Sequence, residues 1–345
     1  MPIYISKGRI EALNKCRRRY YYSYHFKGGF DAPSPNIDLA IGIAAHRGLE
    51  YALLGQRDKA GSETLLAFDA YTKEWPLDDP LLVSQRGEGR DLAHGLVLGW
   101  LRACSEEFDA KYEVLSVERE IELPLSPDII LVARCDATVR DRNSGLVYVW
   151  NWKTTSDRKD WNSKWLYDIQ MWTEATALEC SLNEVIGGTI VAGLYKGIKD
   201  EGRLASKLIY CYEKNGVYRP DYAAGWVRDR ISDIPGWVDS IPLPVLKNMY
   251  LESQPILKNE EVVEAYLRQI VRLETDVTHI SESATEEDRL EYFTQSFSTM
   301  NCRWCPFLDA CMKRSSMDSL IDSGRVIPRT SPLDVRNKKE EVSIG

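Results

Sequence analysis

The sequence predicts an α/β fold, with a mixed central sheet flanked by helices and a helical region inserted before it. Three observations predict it. Apolar residues recur at helical spacing through much of 6–111, then alternate at strand spacing from Tyr112 onward. A strand–turn–strand pattern, VARCDATVRDRNSGLVYVWNWKTT, occupies 132–155. A helical run over 165–179 is followed by strand-like runs at 184–194 and 208–212. The chain has 345 residues, enough for one large core or two modest ones, and 44% apolar with 28% charged residues is a globular composition.

The elements follow in order. Ser6 stands as an N-cap for a helix over 6–24, with Ile10, Leu13 and Cys16–Arg17 in rough helical phase. Asp31 to Pro35 breaks it. A second helix runs from about Ile37 to Gly55 and carries His46 and Glu50 four residues apart, on one face. Helices are expected over 61–75 and about 85–111, a strand from Tyr112 to Leu123, and mostly helix over 219–300. The boundaries expected are a single domain over 1–325, with its core at about 112–213, helical regions at 37–111 and 219–300, and a peripheral or disordered tail at 326–345.

The hairpin carries the chemistry. Arg142-Asn143-Ser144-Gly145 is its turn. Asp136 lies on the first strand, and Asn151-Trp152-Lys153 ends the second. Residues 151 and 153 leave the same face of a strand, and the hairpin brings Asp136 to that face. An acid on one strand and a polar residue two places before a lysine on the next is the layout of a divalent-metal nuclease site. Carboxylates hold the ion and the lysine orients or polarises water. Position 151 departs from the layout, because an acid is expected where Asn stands.

The chain has eight cysteines. No signal peptide and no membrane-length apolar run is read, so a cytoplasmic location with thiols or metal ligands is expected rather than disulfides. Cys302, Cys305 and Cys311 form C-x2-C-x5-C. Three thiolates call for a fourth ligand, and Cys16, beside Arg17-Arg18-Arg19, is the best candidate. Cys104, Cys135, Cys180 and Cys211 lie in or beside apolar runs, as small core residues do. Zinc and an iron–sulfur cluster are both compatible with four thiolates. The net charge of −8 speaks for no general nucleic-acid affinity, so a basic footprint would be local. Arg17–Arg19 either contact phosphate or form a solvated face, and Tyr20–Tyr22 either stack on bases or, as expected here, pack around the metal clasp. No G-x-x-x-x-G-K-[ST] motif is present, so no fused nucleotide-driven motor of that kind is expected.

Taken in order, these motifs resemble the RecB-like, iron–sulfur branch of the PD-(D/E)XK nuclease superfamily, whose members include the CRISPR-adaptation nuclease, the AddB nuclease domain and phage exonucleases. Gly42-Ile43-Ala44-Ala45-His46-Arg47-Gly48-Leu49-Glu50 fits its histidine segment, and Cys16-Arg17-Arg18-Arg19-Tyr20-Tyr21 its early cysteine helix. Gln170 fits its helix glutamine, although the tyrosine usual four places later is Glu174 here. The resemblance implies a restriction-endonuclease-like core whose termini are clasped by a [4Fe–4S] cluster on Cys16, Cys302, Cys305 and Cys311. It implies one or two Mg²⁺ or Mn²⁺ ions on His46, Asp136, residue 151 and the Trp152 carbonyl. Lys153 would act on the attacking water, and Gln170 would position DNA or support the site.

The function expected is metal-dependent DNA exonuclease activity in recombination, repair or phage DNA metabolism. Its partners would be single-stranded DNA or duplex ends and a recombination or replication protein, without a membrane. Asn151 leaves three accounts open: an engineered exchange; a natural one with the acid moved to Asp157, Asp168 or Glu174; or a degenerate nuclease that only binds DNA. Asn151 would leave the chain weakly active or inactive. The alternative functions are a non-catalytic DNA-binding subunit of a recombination complex and a zinc-stapled protein without a nucleic-acid role.

Overall fold

A computed structural model of the chain describes residues 2–31, 36–75, 78–156, 159–196, 243–247, 249–283, 285–296, 298, 302–303 and 305–329, and, between 199 and 230, short strand segments at the backbone. In chain order the elements begin with β1 (Ile3–Ser6), α1 (Lys7–Lys15), α2 (Arg17–Tyr24), β2 (Phe30–Asp31), α3 (Ile37–Leu53), α4 (Arg57–Tyr71), α5 (Pro80–Ala103) and α6 (Ser105–Lys111). The central stretch is β3 (Tyr112–Ser126), β4 (Ile129–Asp141), β5 (Val147–Thr155), α7 (Trp161–Lys164), α8 (Ile169–Leu182) and β6 (Thr189–Tyr195). Short strands β7 (Lys199–Asp200), β8 (Arg203–Leu204), β9 (Tyr210–Lys214), β10 (Val217–Arg219) and β11 (Asp229–Arg230) follow. The chain continues through α9 (Leu243–Lys247), β12 (Tyr250–Glu252), α10 (Glu260–Ser283), α11 (Glu286–Tyr292), α12 (Leu308–Cys311), α13 (Met317–Asp322) and β13 (Ile327–Pro328). Among the described residues no helix is long and apolar enough to cross a membrane.

The chain divides into two compact units. One comprises 1–34, 120–133 and 259–345; the other comprises 35–119 and 134–258. Strands β3 and β4 contribute residues to both.

In the second unit, β4 pairs antiparallel with β5 across the expected turn, with Ala137 opposite Trp150. β5 runs parallel to β6 from Val149–Thr189 to Thr155–Tyr195, and β6 takes β12 antiparallel on its far side. This is a mixed sheet flanked by helices. β5 is buried from Val147 through Trp152, as a strand covered on both faces should be. Small residues on α3, Ala44, Ala45 and Gly48, let α4 and α5 approach closely. A Cβ on Gly48 would fall 2.0 Å from Thr64 Oγ1. The Trp150–Trp152 face of β5 shares a core with α3, α4 and α5, while Met171 of α8 shares one with Val191, Trp161 and Trp165.

In the first unit, β1 runs parallel to the start of β4, Ile3–Ser6 beside Ile129–Val132. Ser6 caps α1 as expected, its hydroxyl accepting from the Arg9 N–H. The single helix expected over 6–24 is instead two, because Cys16 is extended at φ −168° and ψ 121°. The break lets α2 turn Tyr20, Tyr21 and Tyr22 into an aromatic core. Tyr21 stacks on Phe293 at 4.8 Å, and Tyr22 meets Phe307 at 5.4 Å. The 219–300 stretch also differs from expectation. Tyr250–Glu252 is an edge strand, because its backbone completes the β6 ladder. At the C-terminal end, Ile327–Pro328 pair with Phe30–Asp31 and Val326 is buried, so these positions lie within the fold rather than in a peripheral tail. Cys135 is buried and Cys104 half-buried, but Cys180, expected in the core, is exposed on α8. The Cys211 side chain lies outside the described residues.

Arg9 and Glu274 form a buried ion pair in the first unit, with Arg9 Nη2 2.8 Å and Nε 3.0 Å from the carboxylate oxygens. Tyr20 donates to the same carboxylate at 2.7 Å. Glu274→Ala leaves a buried guanidinium without its counter-charge and is expected to cost about 3–5 kcal/mol. Urea unfolding checks this; a loss below ~1 kcal/mol would show the pair to be solvated.

Candidate active site

The site lies in the second unit and starts from three elements. α3 passes β5 at Gly42, where a Cβ would sit 3.4 Å from Thr154 Oγ1, and His46 follows one turn later. His46 Nδ1 lies 3.4 Å from Asp136 Oδ1 on β4. Asp136 Oδ2 accepts the backbone N–H of Trp152 at 2.6 Å. Burial alone would raise the Asp136 pKa, but His46, Lys153 and the Trp152 N–H outweigh it and hold the carboxyl below its ordinary range.

The third element is β3, which supplies Glu118. His46, Glu118 and Asp136 each present a ligand atom within 4.8 Å of the others, close enough to share one metal ion. Glu118 has φ +48°, left-handed backbone that is rare for a non-glycine residue within a strand. Burial, then the neighbouring Asp136 charge, raises its pKa; Arg134, 3.2 Å away, works in the opposite direction. Glu118 is not among the site residues expected from the sequence. Its only signal there was an acid on the strand before the hairpin.

Asn151 is fully buried. Its Nδ2 donates to Glu174 Oε2 at 2.7 Å, while its Oδ1 has no partner among the described residues. Gln170, one turn earlier on α8, donates from Nε2 to Glu174 Oε1 at 2.6 Å. Burial pushes the Glu174 carboxyl up to about 7, against the pull of Lys153 and both amides, and Asp136 pushes it further. Lys153 therefore acts electrostatically on both Asp136 and Glu174. The Trp152 indole occupies the face opposite Asn151 and Lys153, as strand alternation requires. Of the other acids considered for the missing charge, Asp168 caps α8, accepting from the Gln170 N–H at 2.9 Å, and Asp157 lies outside the described residues.

The donor set suits a hard divalent cation. It offers carboxylates, an imidazole and a buried amide oxygen that no donor among the described residues uses.

The cysteines of the first unit form a second constellation. Cys16, Cys302, Cys305 and Cys311 line one cavity with Arg18, Arg19, Tyr22 and Phe307. Ser296 joins two of them, its N–H 3.5 Å from Cys16 Sγ and its carbonyl accepting from Cys302 Sγ at 3.6 Å. Burial raises the Cys305 and Cys311 thiols; Arg19 and Arg18, respectively, work against it. Arg18 also donates to the carbonyls of Phe293 and Leu290, and Arg17 lies over the Tyr292 ring, so this stretch has structural contacts of its own.

No curated protein matches the chain. The family model of the PD-(D/E)XK nuclease superfamily matches residues 4–312. That span covers most of the sequence and both constellations, and the chain belongs to the PD-(D/E)XK nuclease superfamily.

Proposed function

We propose that this chain is a divalent-metal-dependent DNA exonuclease in which Glu174 supplies the negative charge that Asn151 lacks. The observation that carries the reading is the 2.7 Å contact between these two side chains. They are the two departures from the family pattern, an amide where an acid is usual and an acid where a tyrosine is usual, and they touch. An acid on the strand and an acid reaching the strand from α8 deliver charge to the same place.

His46, Glu118, Asp136, Glu174, Asn151 Oδ1 and the Trp152 carbonyl would hold one or two Mg²⁺ or Mn²⁺ ions. The bound ion supplies Lewis-acid polarisation and neutralises charge on the phosphate. Lys153 orients the attacking water and balances Asp136 and Glu174. Gln170 supports the site by fixing Glu174, which is the structural half of the role expected for it. The pKa of Glu174, raised by burial, suits a carboxyl kept ionised by a bound cation.

Cys16, Cys302, Cys305 and Cys311 would carry a [4Fe–4S] cluster. Their shared cavity, the adjacent Arg18 and Arg19, and the resemblance support it. The substrate would be linear DNA in recombination, repair or phage DNA metabolism, in the cytoplasm and beside a recombination or replication protein.

The test is degradation of linear and circular DNA with Mn²⁺. Linear DNA is expected to be consumed and circular DNA spared, with Asp136→Ala lowering the rate by ~100-fold or more. Binding of DNA without metal-dependent cleavage would overturn the enzyme reading in favour of a non-catalytic DNA-binding subunit.

A further inference from the structure

The connection from β5 to α8 carries side chains that the proposed chemistry does not use. β5 and β6 run parallel with α8 between them in the chain, so this connection departs from the C-terminal end of β5, just beyond Lys153. In parallel units ligands gather at that end of the strands.

Two tryptophans fasten the segment 159–168 to the sheet. Trp161 donates from Nε1 to the Val191 carbonyl at 3.2 Å. Its ring lies where a side chain at 193 would stand: a Cβ on Gly193 would fall 2.7 Å from Trp161 Cζ2. Val191 and Gly193 are the register partners of Asn151 and Lys153. The anchor therefore sits beside the candidate metal site, on the same face of the sheet. Trp165 is buried against Trp161, ring centroids 5.1 Å apart, and Asn162 Oδ1 accepts the Gln254 N–H at 3.1 Å.

These anchors leave a cation and an aromatic ring outside. Lys164 Nζ lies 5.8 Å from the Trp161 ring centroid and 5.1 Å from that of Trp165, with no carboxylate partner among the described residues. Tyr167 is 85% exposed. Tyrosine ordinarily buries its ring and wets only its hydroxyl, whereas here the ring itself stands in water. Tyr167 directly precedes Asp168, the α8 cap, and stands three residues before Gln170, which fixes Glu174. Three residues of chain reach at most ~11 Å, a span of a few nucleotides at ~3.4 Å per step.

We propose that Tyr167 positions the substrate: its ring stacks on a base of the strand being cut, a few nucleotides from the scissile phosphate, and Lys164 meets a neighbouring phosphate. A π-face accepts any base, so the contact positions the strand without reading its sequence. A base offers its face to a side chain only where it is unpaired or ends a duplex. The contact therefore favours a single-stranded or frayed end over internal duplex. The inference rests on the DNA-cleaving reading of the metal site and adds to it a contact outside the metal chemistry.

The test uses the full chain and labelled single-stranded oligonucleotides. One is intact, and each of the others carries a single abasic nucleotide, at successive positions from the end. Binding is read by fluorescence anisotropy with Ca²⁺, and cleavage separately with Mn²⁺. Tyr167→Ala is expected to weaken the intact strand about 10-fold, and Tyr167→Phe to keep wild-type affinity. Lys164→Ala should weaken all strands alike and lower the salt slope by about 1. One abasic position should weaken binding to the wild-type protein about 10-fold and to Tyr167→Ala hardly at all, because the missing base and the missing ring belong to one contact. Thermal melting establishes that the variants fold. Abasic losses that are the same in wild type and Tyr167→Ala would overturn the stacking, and a loss in Tyr167→Phe would assign the contact to the hydroxyl and overturn it equally. Unchanged affinity in Tyr167→Ala, with Mn²⁺-dependent cleavage retained, would overturn this inference and leave the nuclease reading in place. A wild-type protein that neither binds nor cleaves any strand would overturn both.

Discussion

Glu174→Gln is expected to lower metal-dependent DNA cleavage by about two to three orders of magnitude, the scale of removing a charge that stabilises the transition state. The substitution keeps the shape of the side chain and leaves an amide beside the Asn151 amide. It removes the carboxylate that lies 2.7 Å from Asn151 Nδ2 and 2.6 Å from Gln170 Nε2. Mn²⁺ affinity should fall with the rate. Wild-type cleavage in the folded variant would dissociate Glu174 from the chemistry.

The same substitution has a stability signature that runs the other way. Burial raises the folded pKa of Glu174 to about 7 from an ordinary 4.5. Between those values the folded state binds more protons than the unfolded chain, so metal-free stability falls as pH rises through that window. The loss is on the order of 3 kcal/mol by pH 8, and Glu174→Gln should abolish it. Metal-free Glu174→Gln protein is therefore expected to be the more stable form at pH 8, and unfolding at pH 5 and pH 8 checks the sign. A side chain that stabilises only when a cation is bound belongs to a site and not to a core.

Cys302→Ala is the second large effect. The wild-type protein, purified without oxygen, is expected to be brown and to hold about four irons, as a four-thiolate [4Fe–4S] centre requires. The variant should lose colour and iron. Its first unit should lose about 4 kcal/mol, the scale of removing a crosslink across a long loop. Cys302 and Cys16 meet the same residue, Ser296, so Cys16→Ala should have the same effect. A colourless wild-type protein with one zinc would replace the cluster and leave the clasp; full iron retention in Cys16→Ala would remove Cys16 from the ligand set.

The parts of this site that were legible in the sequence are those fixed by short-range periodicity. Strand alternation puts Asn151 and Lys153 on one face and Trp150 and Trp152 on the other. The turn former Gly145, at φ +74°, closes the hairpin where its neighbours predict. The cysteine spacing announced a metal-type constellation, and all four thiols line one cavity. Glu118 was not legible, because its position depends on a left-handed residue inside a strand, which no local preference for Glu announces. Glu174 could be named only as one acid among several. Its contact with Asn151 depends on the phase of α8 over the sheet, which packing sets through Met171, Val191 and Trp161. The break at Cys16 escaped for a similar reason. Helical spacing runs through it, and the aromatic core that turns α2 is assembled from Phe293 and Phe307, far along the chain.

Asn151→Asp alone is not expected to improve the enzyme. It would place a second carboxylate in hydrogen-bond contact with Glu174, and two such groups share one proton rather than both ionising. The most direct measurement exchanges the two groups. Mn²⁺ binding by calorimetry and cleavage of linear DNA should be compared in Glu174→Gln and in the double variant Asn151→Asp/Glu174→Gln, which moves the acid to β5 and the amide to α8. Recovery of metal affinity and at least ~10-fold in rate by the double variant is the result expected if one negative charge serves this position from either side. A double variant that folds but binds and cleaves no better than Glu174→Gln would contradict it.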